Sequence, residues 1–294
     1  MESFLHVYQR TSDKGVFLYR IQERIMLHTI FYVVSKSRKI TITALSFMFT
    51  HVHALMHNCS PEVGKSFMGK VMSTFTKELN KDSGRTGGMF GRASCSLKKN
   101  GKAIRSSIAY VYNNSSEKKL YKRAIDDRWD FLAYAMSDHP FSEEIIIREA
   151  SCRLRKSIQA VNGDYARGSY LRLQRIRKLF KGLSEDETQQ LIDYIIVKYR
   201  FIDYSLAINY FKDLDSMVTA IDSNTGSEYE IKEEFEPGND KSYSKMCVVA
   251  KNIGLLNDDM RIYKLTKAEK ERMVQCLTMK TDASPYQVFK FLHL

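Results

Sequence analysis

Thr41-Ile-Thr-Ala-Leu-Ser-Phe-Met-Phe-Thr-His-Val-His-Ala-Leu-Met56 is an apolar, strand-like stretch that carries two histidines, His51 and His53. Successive side chains of a strand alternate between its two faces, so both imidazoles are predicted to point the same way. Two imidazoles on one face can share a metal ion. The stretch is therefore a candidate floor of an active site.

Strands and helices are predicted to alternate around this stretch. Residues 4–9 have the pattern of a strand, and the apolar spacing of 16–34 and 61–80 is typical of helices. A short strand near 89–96 and a helix from 103 to about 113 complete the unit. This order predicts an α+β fold for the first part of the chain.

The chain from Phe141 onward is predicted to be mostly α-helical. Ser184-Glu-Asp-Glu187 is a capping-box sequence before an apolar-periodic stretch, so a helix is expected to start there. Residues 222–244 contain turn residues and few aliphatic ones, which is typical of a linker. We therefore expect two regions, 1–136 and 141–294.

The last thirty residues have the caps of two helices. Thr266-Lys-Ala-Glu269 and Ser284-Pro-Tyr-Gln287 are both capping boxes, and the second has proline at the first helical position. Two helices joined by a tight turn suggest a helix-turn-helix over 266–294, and a plain helical hairpin is the alternative. The side chains that a helix-turn-helix would offer to a DNA groove are Tyr286, Gln287 and Lys290.

Positive charge is concentrated in the first 181 residues. The chain has a formal net charge of +12, and residues 1–125 hold 21 basic against 7 acidic side chains. Residues 148–181 add 10 basic against 2 acidic side chains. Such a surplus makes a polyanion, and nucleic acid above all, the first partner to expect.

The cysteines and the apolar runs bear on the compartment. Five cysteines form no C-x-x-C pair and are odd in number, which favours a reducing cytoplasm over a disulfide framework. The N-terminus has no signal-peptide pattern, and no apolar run approaches about 18 residues. The sequence therefore predicts a cytoplasmic protein without membrane association.

The histidine pair by itself is also explained by two strand histidines that are satisfied by hydrogen bonds. A second motif supports the interpretation as a metal site. Tyr110 and Asn114 are four residues apart in a predicted helix and so share one face. Two imidazoles and one amide oxygen leave open positions on Mg²⁺ or Mn²⁺, which is typical of a catalytic metal. Tyr110 is then a candidate nucleophile, and Tyr112, about 200° around the helix from Asn114, is the disfavoured rival.

Five ordered motifs together resemble one family, the single-tyrosine HUH transposases (insertion-sequence 200-like), and most of all the REP-associated branch. The resemblance covers about residues 4–136. The motifs are His6-Val-Tyr-Gln-Arg10, Met48-Phe-Thr-His-Val-His-Ala-Leu55, Gly84-Arg-Thr-Gly-Gly-Met-Phe90, Tyr110-Val-Tyr-Asn-Asn-Ser115 and Asp127-Arg-Trp-Asp-Phe-Leu-Ala-Tyr134.

The resemblance implies a fold, a site and a partner. The fold would be a ferredoxin- or RRM-like antiparallel sheet with helices on one face, the HUH catalytic domain. His51, His53 and Asn114 would be metal ligands, and Tyr110 would form a 5′-phosphotyrosyl link and free a 3′-hydroxyl. The partner would be single-stranded, hairpin-forming DNA in a bacterial nucleoid, and the protein a DNA transposase, monomer or homodimer, active in transposition and DNA recombination.

Two departures from the family pattern leave alternatives open. Phe49-Thr50 stands where the family has proline and asparagine or aspartate, and Ser115 stands where it has proline. Neither change removes a ligand or the nucleophile. One alternative is a transposase-derived DNA-binding regulator with a weak or inert centre, and another is metal-dependent hydrolysis without a covalent step.

Basic side chains that flank the candidate site in sequence are expected to grip the DNA backbone, with Phe90 as an exposed aromatic for stacking. A solvated basic face is the alternative. The predicted DNA-binding residues are Lys77, Lys81, Arg85, Arg92, Lys98, Lys99, Lys102 and Arg105.

Overall fold

A four-stranded antiparallel sheet organises the N-terminal part of the chain in the computed structural model, which describes residues 2–223, 239–257 and 260–294. The strands are β1 (Phe4–Arg10), β2 (Thr41–Phe47), β3 (His51–His57) and β4 (Ser94–Lys98). Their spatial order is β2-β3-β1-β4, and every neighbouring pair is antiparallel. With α1 (Ile21–Arg38) after β1 and α2 (Pro61–Ser83) after β3, this is the β-α-β-β-α-β order of ferredoxin-like folds.

The stretch that carries the histidines forms two strands instead of one. Between β2 and β3 the chain turns at residues 48–50, and the backbone N–H of Met48 donates to the carbonyl of His51 at 3.0 Å. Both strands are buried on both faces, so their side chains read as one continuous apolar run. Because no glycine or proline marks the turn, periodicity alone does not reveal it.

The helices of this part lie on both faces of the sheet. Leu5 and Val7 of β1 share a core with Phe67 and Phe75 of α2. The opposite face packs against α3 (Gly101–Glu117), which follows β4. The prediction of helices on one face is therefore wrong for α3, because alternation along a strand shows that both faces are apolar but not which helix covers each.

The first helix begins later than its apolar spacing predicts. α1 starts at Ile21, and Arg20 before it has an extended backbone. The backbone N–H groups of Tyr19 and Arg20 donate to the Glu23 carboxylate at 2.9 and 2.8 Å, which caps the helix at this point. Val16 and Tyr19 instead pack in a core with the C-terminal helix.

The described residues from Phe141 onward are mostly helical, as predicted, although the first helix there begins only at Cys152. The capping box at Ser184 is confirmed, with reciprocal bonds to Glu187 at 3.2 and 3.1 Å. The helices are α4 (Cys152–Ala166), α5 (Leu173–Phe180), α6 (Glu185–Lys198), α7 (Tyr204–Ile208), α8 (Leu214–Asp222), α9 (Lys241–Asn252), α10 (Lys267–Lys280) and α11 (Pro285–Leu292).

The predicted linker over 222–244 lies largely outside the described residues. Its two ends are helical, since Asp222 ends α8 and Lys241 begins α9. The prediction is therefore wrong for 241–244. No helix in the described ranges has the length and apolar character needed to cross a membrane.

The helical region shares its cores with the sheet region. Phe31 of α1 and Phe67 of α2 belong to the same buried cluster as Leu154 of α4, Ile176 of α5 and Leu191 of α6. A second cluster joins Phe49, in the turn before β3, to residues of α9 and α11. The segments 1–136 and 141–294 therefore fold against each other.

Two glycines of α2 differ sharply in what surrounds them, and we expect opposite effects on replacing them. A Cβ at Gly64 would collide with Cδ2 of Leu5 and lie 3.2 Å from Cγ2 of Val7, both in the core. Gly64→Ala should lower the free energy of unfolding by about 1–3 kcal/mol through overpacking. Denaturant unfolding followed by circular dichroism measures the change.

Gly69→Ala is the matched control, because a Cβ there meets nothing within 4 Å. It should raise the free energy of unfolding by about 0.5–1 kcal/mol, since alanine restricts the unfolded chain and favours helix. Equal effects of the two substitutions would contradict the packing of α2 against β1.

Candidate active site

The register of β1 against β3 gathers aromatic and basic side chains on the face that α3 covers. Tyr8 lies directly opposite His53, and Arg10 lies opposite His51. Residues opposite each other in an antiparallel pair share a face, and so do alternate residues of one strand. His6 therefore joins the same face, with Tyr8 and Arg10.

Each of the two candidate ligand histidines has a partner for its Nδ1 atom. Nε2 of His6 lies 2.9 Å from Nδ1 of His53, and the two rings stack with centroids 5.2 Å apart. Oγ1 of Thr50 lies 2.9 Å from Nδ1 of His51. The His51 and His53 rings are 4.8 Å apart, and in each of them Nε2 is the nitrogen that would ligate an ion.

Burial keeps both imidazoles neutral at neutral pH. Desolvation, helped by the charges of Lys118 and Arg10, lowers the pKa of His53 to about 3. Desolvation also lowers the pKa of His51 well below its ordinary value, and His53, Arg10, Lys118 and Lys290 lower it further. Neutral imidazole is the form that binds metal ions.

Tyr110 of α3 lies against these histidines. Its ring meets that of His53 edge to face with centroids 5.5 Å apart, and that of His6 in the same way at 5.7 Å. The side chain is only 9% exposed. The structure thus brings together the predicted nucleophile and the two predicted histidine ligands.

Asn114 is placed one turn further along α3. Its Nδ2 donates to the carbonyls of Tyr110 at 2.9 Å and of Val111 at 3.3 Å. With the amide nitrogen held by its own helix, the oxygen is directed away from those carbonyls. Asn114 is 2% exposed, so its amide is buried.

Tyr112, the rival nucleophile, points elsewhere. It is fully buried, and its hydroxyl donates to the carbonyl of Thr43 in β2 at 3.1 Å. Burial raises the pKa of Tyr112 well above its ordinary value. This placement favours Tyr110 and gives Tyr112 a structural role, namely to anchor α3 on the sheet.

The predicted ligand set consists of two histidines and one asparagine. Among the residues that the structure describes, no three histidine, cysteine, aspartate or glutamate side chains are grouped so as to hold a metal. The candidate set is different in kind, because it combines two neutral imidazoles with one amide oxygen. Such ligands suit Mg²⁺ or Mn²⁺ when water and phosphate supply the remaining positions.

The sequence-based prediction gave several residues of this site no role in ligand positioning or charge. His6 holds His53, Thr50 holds His51, and Arg10 and Lys118 supply the positive charge around them. The spacing His6-x-Tyr8-x-Arg10 is a usable signal, since it puts three chemically active side chains on one strand face. Lys118 gives no such signal, because α3 was predicted to end near residue 113.

A buried carboxyl ties α3 to the sheet beside the site. Ser115, at the position where the family has proline, donates to Oδ2 of Asp130 at 2.6 Å. Ser46 of β2, which lies opposite His53, donates to the other oxygen of Asp130. With serine at this position α3 continues to Glu117, so the departure from the family pattern extends the helix and fixes it.

The predicted DNA-binding residues fall into groups instead of one patch. Lys98 lies opposite Phe4, about six residues, or roughly 20 Å, along β1 from Arg10. Arg85 stacks on the Tyr263 ring at 4.8 Å, so part of its charge faces the C-terminal region. The remaining members are Lys77 and Lys81 on α2, Arg92 before β4, and Lys99, Lys102 and Arg105 near the start of α3, all exposed.

The prediction of Phe90 as an exposed stacking platform is wrong. Its ring packs edge to face on Phe17, with centroids 4.9 Å apart, and on Phe75 at 6.2 Å. Thr11 pairs with Phe90 in an isolated bridge, which pulls the loop onto the core. Phe90 therefore anchors the preceding basic, glycine-containing loop on the hydrophobic core.

The C-terminal helices have the predicted caps but not the predicted DNA contacts. Gln287 is used by its capping box with Ser284, and its Nε2 donates to the carbonyl of Asn239 at 3.0 Å. Lys290 is 6% exposed, and its charge acts on His51. Only Tyr286, 54% exposed, projects as predicted, so the helix-turn-helix contacts are wrong for the other two and the arrangement favours the helical hairpin.

The buried carboxyls beside the site should make stability fall as pH rises. Desolvation and the neighbouring Asp127 raise the pKa of Asp130 well above the ordinary 3.8, and desolvation raises that of Asp127 to about 6. At pH values above the ordinary pKa of 3.8, the carboxyls of the unfolded chain ionise while the folded pair still holds its protons. The pair's contribution to the free energy of unfolding is therefore lost as pH rises. The free energy of unfolding of Asp130→Asn, taken relative to that of wild type, should rise by on the order of 1 kcal/mol from pH 4 to pH 7.

Denaturant midpoints at the two pH values measure this difference. The matched control is Asp215→Asn, which changes an exposed aspartate and should keep the wild-type pH profile. If Asp130→Asn followed the wild-type profile as well, Asp130 would be ionised in the folded state and the raised pKa would be refuted.

Comparison with protein-family models and with curated proteins finds no match. Among solved structures, the chain is similar to a REP-associated tyrosine transposase bound to a REP hairpin. The identity is 18%, the match covers 44% of this chain and 74% of that chain, and the TM-score is 0.36. At this level the likeness says nothing about the side chains of the site.

Proposed function

We propose that this protein is a metal-dependent DNA strand-transferase that nicks and rejoins single-stranded DNA through Tyr110. The observation that carries the proposal is the packing of Tyr110 against His53, which itself lies 4.8 Å from His51. A nucleophile on one element that faces two neutral imidazoles on another suits covalent phosphoryl transfer assisted by a metal ion. The motif resemblance of residues 4–136 points to the same chemistry.

Tyr110 would act as the nucleophile. Its hydroxyl oxygen forms a bond to phosphorus and gives up its proton, the bond from phosphorus to the 3′ oxygen breaks, and that oxygen takes up a proton and leaves as a 3′-hydroxyl. The 5′-phosphotyrosyl ester conserves the energy of the broken phosphodiester, so attack by another 3′-hydroxyl rejoins the strand. A phenol is a weak nucleophile at neutral pH, so the site must stabilise charge at the phosphate.

The surrounding residues are suited to that task. His51, His53 and Asn114 would hold Mg²⁺ or Mn²⁺, and the bound ion would supply charge neutralisation at the scissile phosphate. His6 positions His53 through the 2.9 Å contact between their ring nitrogens. Arg10 and Lys118, close enough to affect the histidine pKa values, would attract and orient the phosphate.

The substrate of the proposed reaction is single-stranded DNA next to a hairpin. The resemblance of the motifs implies the hairpin, and the net charge of +12 supports a nucleic-acid partner. The proposed role is that of a transposase in DNA recombination.

Trapping the covalent intermediate tests the proposal. Wild-type protein incubated with hairpin-bearing single-stranded DNA and Mn²⁺ should give a protein–DNA adduct on denaturing electrophoresis, and Tyr110→Phe should give none. Tyr112→Phe is the matched control, because it removes a hydroxyl two residues away that bonds only to the sheet. It should keep the adduct, because Ser115 and Ser46 still hold α3 on the sheet through Asp130.

Loss of the adduct in Tyr112→Phe but not in Tyr110→Phe would overturn the assignment of the nucleophile. Cleavage that depends on His51 but leaves no adduct would instead establish hydrolysis. Binding to a broad panel of hairpins without either product would refute catalysis.

A DNA-binding regulator with an inert centre is the second candidate, and one observation favours it. His51 and Tyr110 are each 9% exposed, and His53 is fully buried. Catalysis requires the scissile phosphate to reach Tyr110, so the transferase needs this layer to open on binding DNA. The regulator needs no such opening, and the adduct assay separates the two.

A metal-affinity measurement tests the role of His6. His6→Phe keeps a ring in the stack but removes the bond to Nδ1 of His53. We expect the affinity for Mn²⁺, measured by titration calorimetry, to fall by about 10- to 100-fold, as for other residues that orient a ligand. Tyr112→Phe should bind Mn²⁺ as wild type does, and unchanged affinity in His6→Phe would rule out the positioning role.

A further inference from the structure

A basic cleft lies between α4 and α5, away from the site of Tyr110. Its volume is about 460 Å³. Arg153 and Lys156 of α4 form one wall, and Arg175 and Lys178 of α5 form the other. Each pair is spaced three residues apart on its helix, so both side chains of a pair share a face. The cleft is lined by four cationic side chains and by no carboxylate.

Most of this charge is available for binding. Arg175 pairs with Asp164 at 2.7 Å. Arg153, Lys156 and Lys178 are exposed, and within the described ranges of the chain none of them has an ion-pair partner. Three uncompensated cations around one cleft repel each other unless an anion binds between them.

A second cleft, of about 240 Å³, continues the first along α5. It shares Arg175 and Lys178 and adds Arg172 and Lys81, the latter already a predicted DNA contact. Its two carboxylates are already paired, and one of them, Glu78, lies 3.6 Å from Arg172 of the same cleft. Glu78 accepts from the Tyr170 hydroxyl at 2.8 Å, and Asp82 pairs with Arg177. The basic surface therefore extends from α4 to the end of α2.

The frame of the cleft is fixed. The hydroxyl of Ser157 in α4 donates to the carbonyl of Leu179 in α5 at 2.7 Å, which joins the two walls at the floor. Ile176 of α5 lies in the same core as Phe31 of α1 and Phe67 of α2. These helices cover the face of the sheet opposite to α3. The cleft and Tyr110 therefore lie on opposite sides of the sheet.

The lining indicates which anion fits. No aromatic side chain lines either cleft, whereas proteins that hold single strands use aromatic platforms for their unpaired bases. Backbone phosphates of a duplex, with the bases turned inward, require only a row of cations. We propose that the α4–α5 cleft binds the phosphodiester backbone of duplex DNA, as a second DNA site separate from the one that Tyr110 serves.

This inference rests on the proposed function only in its choice of DNA as the polyanion. A strand processed on the α3 face and a duplex held on the α4–α5 face would engage one protein at the same time. The two sites are predicted to be independent, because the sheet separates them.

Salt-dependent binding of a duplex tests the second site without requiring catalysis. Fluorescence anisotropy of a labelled, hairpin-free duplex is measured with Tyr110→Phe protein at several salt concentrations. In that background, Lys156→Gln combined with Lys178→Gln should make the negative slope of log K against log salt less steep by about 2. The same pair should weaken duplex binding by about tenfold or more. The matched control, Lys251→Gln with Lys280→Gln, removes the same charge from exposed positions outside both clefts and should stay within about twofold.

A loss of less than about twofold, or an equal loss in the control pair, would overturn the proposal. The proposal would also be overturned if the two substitutions weakened the binding of a single strand of the same sequence but not that of the duplex. With Tyr110 intact, the Lys156 and Lys178 variant should form the hairpin adduct at the parental rate when DNA is saturating. If the parent forms no adduct, the proposed function fails while the duplex titration still decides the question of the cleft.

Discussion

The antiparallel register of β1 against β3 is the constraint on which the candidate site depends. It sets Tyr8 opposite His53 and Arg10 opposite His51, so that every second residue of two central strands points toward α3. A shift of the register by one residue would send these side chains into the opposite core, where Leu5 and Val7 meet α2. The apolar residues of the other face therefore hold the polar ones in place.

A second constraint is the attachment of α3 to the sheet. Tyr112 reaches the backbone of Thr43, while Ser115 and Ser46 share the carboxyl of Asp130. Tyr112 and Ser115 follow Tyr110 by two and five residues on α3, so these bonds fasten the helix to the sheet just beyond Tyr110. Burial raises the pKa of Asp130, so this carboxyl costs stability at neutral pH.

Much of the fold could be predicted from periodicity and caps, because those signals are local. The strand at β1, the helix α2 and the capping boxes of α6, α10 and α11 were all predicted from nearby residues. The hairpin at residues 48–50 and the face covered by α3 were not, because both depend on tertiary packing. Phe90 and Lys290 failed for the same reason, since a sequence shows the type of a side chain but not what covers it.

The site was predictable in part. The spacings of His51 with His53 and of Tyr110 with Asn114 are local patterns, and the structure brings the first three of these residues together. The supporting side chains come from distant positions. His6 and Arg10 are examples, and each has a role only once β1 and β3 are paired. The metal ligands themselves stay a prediction.

Peptide mapping of the covalent DNA adduct by mass spectrometry tests the central claim most directly. The claim is that Tyr110, packed on His53, is the residue that attacks the phosphate. It predicts that the nucleotide mass is carried by the peptide containing Tyr110, with fragments that place it on that residue. A nucleotide on Tyr112, on another residue, or on none in a preparation that cleaves DNA would contradict the account.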